Sequence, residues 1–209
     1  MKKKVAFFDI DKTIIKNDSM FLFLWYGIKK KPQTIVTLLP VFVYTVLYSM
    51  KLVKPEKPKE FYFYAIKYLK DEDLKDFYQS ILVKKLYEDA VKELKEKKEN
   101  GFHVLLVSAS PDAYVRFFRE LPFVDGVIGT KLLRKGEGYT NKLEGANCKG
   151  VEKVHRINQY IGTHQIEIDF EHSCAYSDSL TDLPMFSLVK NQYLINRKDR
   201  IRKELIWKK

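Results

Sequence analysis

With 209 residues, 45% of them hydrophobic and 14% aromatic, the chain has enough apolar material for a sizeable core and too much for a long disordered tract. Lysine and arginine outnumber aspartate and glutamate by 38 to 27, a formal charge of +11 that favours a negatively charged substrate or surface. The lysines are spread along the chain without an aromatic-interleaved basic run, so no nucleic-acid partner is expected, and Cys148 and Cys174 lack the spacing of a zinc site or disulfide framework.

Met1-Lys2-Lys3-Lys4 opens an apolar stretch that Asp9 and Asp11 break too soon for a signal peptide, and with two free thiols a cytoplasmic protein is expected. Val5 to Ile10 predicts a buried strand, ending abruptly in acidic residues. From about Ser19 to Asn100 the pattern is helical, with helices over Glu60–Leu69, Asp71–Tyr87 and Asp89–Lys98; Lys54-Pro55-Glu56-Lys57-Pro58 reads as a linker. Strands follow at His103–Ser108, Gly126–Gly129, Cys174–Ser177 and Gln192–Ile195. Between several of them lie helices at Asp112–Leu121, Val151–Ile161 and a segment opening at Asp182. Strands alternating with helices predict an α/β fold with a parallel sheet and helices on both faces. Residues 1–18 and 101–209 would form the core, and residues 19–100 an inserted helical domain.

In an open parallel sheet, ligands bind outside the carboxyl ends of the strands. Asp9-Ile10-Asp11-Lys12-Thr13 closes the first strand, Ser108 the second, and Asp178 and Asp182 follow the fourth; Lys153 starts the helix after Gly150, with Lys149 a competitor for its role. Carboxylates converging on one sheet edge repel unless a cation holds them, and oxygen-only ligands suit Mg²⁺. A phosphate beside that metal would find a hydrogen bond at Ser108 and a neutralising charge at Lys153. Asp9 could then attack phosphorus, with Asp11 protonating the leaving oxygen and later activating water. Asp182 reads either as a support for this cluster or as a helix cap.

These residues resemble the motifs of the haloacid dehalogenase superfamily. Its phosphatases carry DxDx[TV], a strand-end Ser or Thr, a Lys and an acidic pair, here Asp9 to Thr13, Val107-Ser108, Lys153, and Asp178 with Asp182. More narrowly, Val107-Ser108-Ala109-Ser110-Pro111, Gly138-Tyr139-Thr140, Cys148 to Lys153 and Tyr176-Ser177-Asp178-Ser179 are similar to the phosphoserine-phosphatase-like subgroup, subfamily IB. The resemblance implies a Rossmann-like, three-layer αβα core with an all-helical cap of the C1 type after the first motif. It also implies Mg²⁺ held by the Asp9 side chain, the Asp11 carbonyl and the Asp178 side chain, with Asp182 and Thr13 in support. An acid at Asp11 favours a phosphatase or mutase over a dehalogenase or ATPase. Asp18 stands where phosphoserine phosphatases place a substrate-reading glutamate, so it is read as a substrate contact or a helix N-cap. Lys12 occupies a place often taken by glycine or serine.

Ile35 to Met50 carries no charge and is flanked by Lys29, Lys30, Lys31, Lys51 and Lys54. It falls short of the roughly 20 residues of a span. One crossing would also put Asp9 on one side of a membrane and Ser108, Lys153 and Asp178 on the other. Two readings stay open: a buried cap helix, the one favoured, and peripheral membrane contact through residues 35–53. Accordingly the substrate is expected to be a small phosphomonoester, with a lipid phosphate such as phosphatidylglycerophosphate as the alternative. A phosphotransferase or mutase and a non-catalytic phosphate-binding module are the remaining readings.

Overall fold

The structure, a computed structural model, describes residues 2–54, 56–198 and 202–208. Met1 and Pro55, which the sequence reading assigned to the opening segment and to the linker, lie outside them. Strands β1 (Lys2–Lys3), β2 (Val5–Phe8), β3 (His103–Pro111), β4 (Gly126–Thr130), β5 (Leu132–Lys135), β6 (Gly138–Leu143), β7 (Glu167–Ile168), β8 (Cys174–Ser177), β9 (Asn191–Ile195) and β10 (Lys203–Leu205) occur with helices α1 (Ser19–Lys30), α2 (Leu38–Ser49), α3 (Glu56–Tyr62), α4 (Asp71–Phe77), α5 (Glu88–Glu99), α6 (Asp112–Val115), α7 (Val151–Thr163) and α8 (Leu183–Phe186).

Six strands form one sheet in the order β10-β9-β8-β2-β3-β4, every pair parallel. All four residues of β2 are buried, because this strand lies between β3 and β8 and is covered on both faces. Alternate side chains enter two separate cores. Ala6, Phe8, Val104 and Leu106 face one cluster with Leu94 of α5, while Val5, Phe7, Leu105 and Val107 face another with Ile157 of α7 and Phe186 of α8. Period-two alternation thus creates the three αβα layers. From β2 the chain passes to β3 and β4 on one side, and it later returns to β8 on the other. The crevice at this reversal lies beyond the carboxyl ends of β2 and β8, where Asp9 and Asp178 stand.

Between β2 and β3 the described elements are all helical. Phe23, Phe63, Phe77 and Leu82 from this stretch join the same cluster as Ala6 and Phe8, and the Phe23 ring stacks on Tyr114 of α6 at 5.1 Å. The insertion therefore shares an apolar core with the sheet.

Several expectations need correction. The helix expected over Asp71–Tyr87 is α4 followed by a π-helical segment, Tyr78–Leu82, and a 3-10 turn, Val83–Lys85. Glu60–Leu69 divides into the end of α3 and a 3-10 turn, Tyr64–Tyr68, and Asp112–Leu121 into α6 and a 3-10 turn, Arg116–Glu120. The linker is shorter than expected, because α3 starts at Glu56 and its first turn tolerates Pro58, whose missing N–H has no intrahelical partner there. The antiparallel hairpin β5–β6 went unanticipated, since its residues carry little apolar alternation; its turn contains Gly136 at φ 60°. The favoured buried placement of Ile35–Met50 is also overturned. A 3-10 turn, Pro32–Thr37, runs directly into α2, and this Pro32–Ser49 unit is long and apolar enough to cross a membrane by length and composition, yet only 17% of it is buried.

Candidate active site

Asp9 leaves the end of β2 with its N–H donating to the Tyr176 carbonyl of β8 at 2.9 Å. Its carboxylate is held on both oxygens: Lys153 Nζ donates to Oδ1 at 2.5 Å, and Thr13 Oγ1 donates to Oδ2 at 3.0 Å. Thr13 Oγ1 also accepts the N–H of Asp178 at 3.0 Å, so one buried hydroxyl ties the end of β2 to the end of β8. Lys153 comes from the first turn of α7, which starts after Gly150 at φ 59°. Its ammonium also donates to Asp182 Oδ2 at 2.8 Å, and Ser177 Oγ donates to that same oxygen at 2.7 Å.

The tight turn after Asp9 is closed by the N–H groups of Thr13, Ile14 and Ile15, all donating to the Ile10 carbonyl. It sets Lys12 at φ 58°, the left-handed region where glycine is unstrained. Asp11 faces a different environment from Asp9. Its Oδ2 accepts from Ser108 Oγ at 3.1 Å and Ser110 Oγ at 2.7 Å, and its Oδ1 accepts the Ser19 N–H at 2.6 Å. Ser108 sits where the β3–β4 ladder shifts register between Val107 and Pro111, an irregularity that re-aims side chains at the strand end. Ser108 is fully buried with its hydroxyl on Asp11, whereas Ser110 and Ala109 line the open cavity.

Burial raises the Asp9 carboxyl well above the usual carboxylate range; Lys153 opposes the rise, and Asp182 and Asp11 reinforce it. Burial works against the charge on Lys153 too, but Asp9 and Asp182 overcome it and hold the ammonium above the ordinary lysine range. Asp178 is likewise pushed up by burial, with Lys12 pulling the other way.

A 390 Å³ cavity opens over these groups. Five carboxylates line it, those of Asp9, Asp11, Asp18, Asp178 and Asp182, against four lysines, Lys12, Lys59, Lys149 and Lys153. Asp18 lies at its wall, but Oδ1 is engaged as the N-cap of α1, accepting the N–H of Met20 at 3.0 Å and of Phe21 at 3.4 Å. Asp182 makes no such cap bond to α8; its carboxylate serves Lys153 instead. Lys149 is exposed and makes no hydrogen bond or ion pair with Asp9 among the described residues, which separates it from Lys153.

Three groups at the site escaped sequence reasoning. Ser110 lay within a recognised phrase, but nothing in the spacing distinguished its hydroxyl from that of Ser108. Ser19 Oγ donates to Ser110 Oγ at 2.8 Å, bringing the start of the insertion onto the same network. Lys59 of α3 reaches in from above, donating to the Ala109 carbonyl and to Asn147 Oδ1 at 2.7 Å each, and burial pushes its ammonium down to about 8. A lysine in a lysine-rich segment gives no sequence signal of that kind.

Among the described residues, no group of three His, Cys, Asp or Glu side chains is arranged to hold a metal alone. Asp9 and Asp178 nonetheless both line the cavity, and oxygen-only carboxylates suit Mg²⁺, which commonly keeps several waters and takes one or two protein carboxylates. The excess of carboxylates over lysines around the cavity favours a cation there as well.

Fold and site together define an α/β enzyme architecture with a cluster of carboxylates and lysines at the carboxyl edge of a parallel sheet. Residues 6–187 match the haloacid dehalogenase-like hydrolase family, and the chain belongs to it. It is 25% identical over 218 residues to the inhibition of morphological differentiation protein of Streptomyces azureus, covering 99% of this chain and 76% of that protein. Among solved structures, a Bordetella pertussis protein of unknown function superposes with a TM-score of 0.81 at 19% identity, covering 99% of both chains. A substrate-bound phosphoserine phosphatase superposes with a TM-score of 0.66 at 21% identity, covering 93% of this chain and 87% of that one.

Proposed function

We propose that the chain is a Mg²⁺-dependent phosphomonoester phosphatase that works through an aspartyl-phosphate on Asp9. The observation that carries this reading is the contrast between the two acids of one turn: Asp9 is fixed on Lys153 and Thr13, whereas Asp11 is held on hydroxyls and a backbone N–H. An Asp9 carboxylate oxygen forms a bond to phosphorus while the ester P–O bond breaks, and Asp11 gives its proton to the departing alkoxide. Asp11 then takes a proton from water, whose oxygen attacks phosphorus, releasing inorganic phosphate and restoring Asp9. Lys153 offsets phosphoryl charge and keeps Asp9 in place, while Asp182 and Ser177 fix the lysine. Bound by the Asp9 and Asp178 side chains and the Asp11 carbonyl, Mg²⁺ would supply further charge neutralisation and orientation of the phosphate.

The phosphoserine phosphatase likeness supports a small soluble ester as substrate. One observation favours the lipid-phosphate alternative: Thr45 and Tyr48 of α2 line the cavity, while the far side of that helix is apolar and exposed. A panel of phosphomonoesters including phosphoserine and phosphatidylglycerophosphate, assayed with Mg²⁺ and with acceptor alcohols, separates these readings from each other and from phosphoryl transfer. Acid-quenched turnover should trap phosphate on the native chain and none on Asp9→Asn. No hydrolysis of any ester, or trapping that survives the substitution, would refute the proposal.

A further inference from the structure

Helix α2 has two apolar faces. Val41 is buried, the Tyr44 ring stacks on Phe61 of α3 at 4.8 Å, and Thr45 and Tyr48 line the cavity; these residues form the inner face. On the opposite side Ile35, Leu39, Phe42, Val46 and Met50 recur every three or four residues, a stripe down one side of the 3-10 turn and the helix. Their exposures run from 41% for Val46 to 70% for Leu39, and Phe42 is 68% exposed. A row of large apolar side chains in water is unfavourable unless something covers it.

The charges around the stripe indicate what covers it. No aspartate or glutamate occurs between Asp18 and Glu56, and the charged residues of that stretch are Lys29, Lys30, Lys31, Lys51 and Lys54. Lys30 pairs with Asp76 at 3.0 Å, whereas Lys29, Lys51 and Lys54 are exposed and have no ion-pair partner among the described residues. A second copy of the chain docked through this face would bring lysine rims together with no acid in the segment to pair them. An anionic bilayer offers both partners, acyl chains for the stripe and headgroup charge for the lysines. A transmembrane crossing would tear the inner face from α3 and the cavity, so the helix would lie in the plane of the interface.

We infer that α2 and the 3-10 turn before it form a docking surface for an anionic lipid bilayer, with the helix lying flat and the mouth of the cavity held beside the headgroups. This surface is independent of the proposed chemistry, since no residue of the stripe enters the cavity.

The test uses the full chain with sedimented vesicles of phosphatidylcholine alone or mixed with phosphatidylglycerol. Partitioning onto the mixed vesicles should exceed that onto the neutral ones by at least about tenfold and should fall as salt rises. Leu39→Ser with Phe42→Ser should lower it by about tenfold or more, and Lys51→Ala with Lys54→Ala should remove most of the salt dependence. Because all four positions are exposed, the variants should keep the native melting temperature and the native rate on a soluble ester. Absence of binding to mixed vesicles, or equal salt-insensitive binding to both kinds, would overturn the inference. So would a dimer that L39S/F42S dissociates in a chain that binds no vesicle, which would assign the face to a second copy.

Discussion

Asp9 and Asp11 lie two positions apart, and the turn between them gives each a separate set of partners. Asp9→Asn keeps the shape but removes the anion that Lys153 holds, so turnover should drop by several orders of magnitude with the circular dichroism spectrum unchanged. Retention of more than about a tenth of the native rate, roughly 1.4 kcal/mol of barrier, would be incompatible with a nucleophilic Asp9. Asp11→Asn should slow turnover by about 100-fold or more, while Mg²⁺ affinity, which in the proposed scheme draws on its backbone carbonyl, changes less. Lys12 carries a different kind of information. At φ 58° its side chain is strained, and glycine would relieve that strain but would gain entropy in the unfolded chain. Lys12→Gly is therefore expected to raise stability by about 0.5 kcal/mol, read as a shift in the urea midpoint with an unchanged slope. The motif spelled out Asp9, Asp11 and Thr13, but the Ser19 N–H and the Ser110 hydroxyl come from α1 and β3, elements far apart in sequence, so only the folded chain could bring both to Asp11.

At the scale of elements, β3 begins at a titratable contact. His103 Nε2 lies 3.1 Å from the Tyr160 hydroxyl of α7, and burial lowers the pKa of its ring below the ordinary 6.5. As pH falls through that value, the unfolded chain takes up a proton that the folded chain declines, so stability decreases. The neighbouring Asp125 acts in the same direction at lower pH: burial raises its carboxyl, but Lys98 and the Val104 N–H more than compensate and hold it below the usual range. Its contribution is present above the unfolded pKa and is lost as pH falls through the folded one. The His103 contribution alone lowers the melting temperature from about pH 6.5 toward pH 5, against Asp9, whose raised carboxyl adds stability as pH falls; His103→Gln should therefore change the slope of melting temperature on pH in this window by removing the destabilising part. A slope unaffected by the substitution would place the titration elsewhere. Helix boundaries were the least readable elements in sequence. Asp71 to Lys85 keeps an apolar period throughout, yet its hydrogen bonding changes from α to π to 3-10, and burying Phe77, Tyr78 and Leu82 in one cluster depends on that whole segment.

Over the whole molecule the charge distribution bears on metal dependence. The chain is basic overall, at +11, yet its cavity is lined by more carboxylates than lysines. Chelation should abolish hydrolysis, Ca²⁺ should restore it poorly because its coordination is larger and looser, and Mg²⁺ should raise the melting temperature by binding the native state. Full activity in chelator would remove the metal from the scheme. The residues alone specify the parallel sheet, the helical insertion, the acids at the strand ends and the lysine that opens α7. These follow from local patterns: buried β-branched and aromatic runs, helical period, and short polar phrases where strands stop. Tertiary structure alone decided that Lys153 and not Lys149 meets Asp9, that Asp182 holds this lysine and does not cap α8, that Lys59 enters from the insertion, and that one face of α2 is left in water. The physical reason is common to all four. Period and composition state that a residue is apolar or charged, but which partner covers or neutralises it depends on which distant element packs against it.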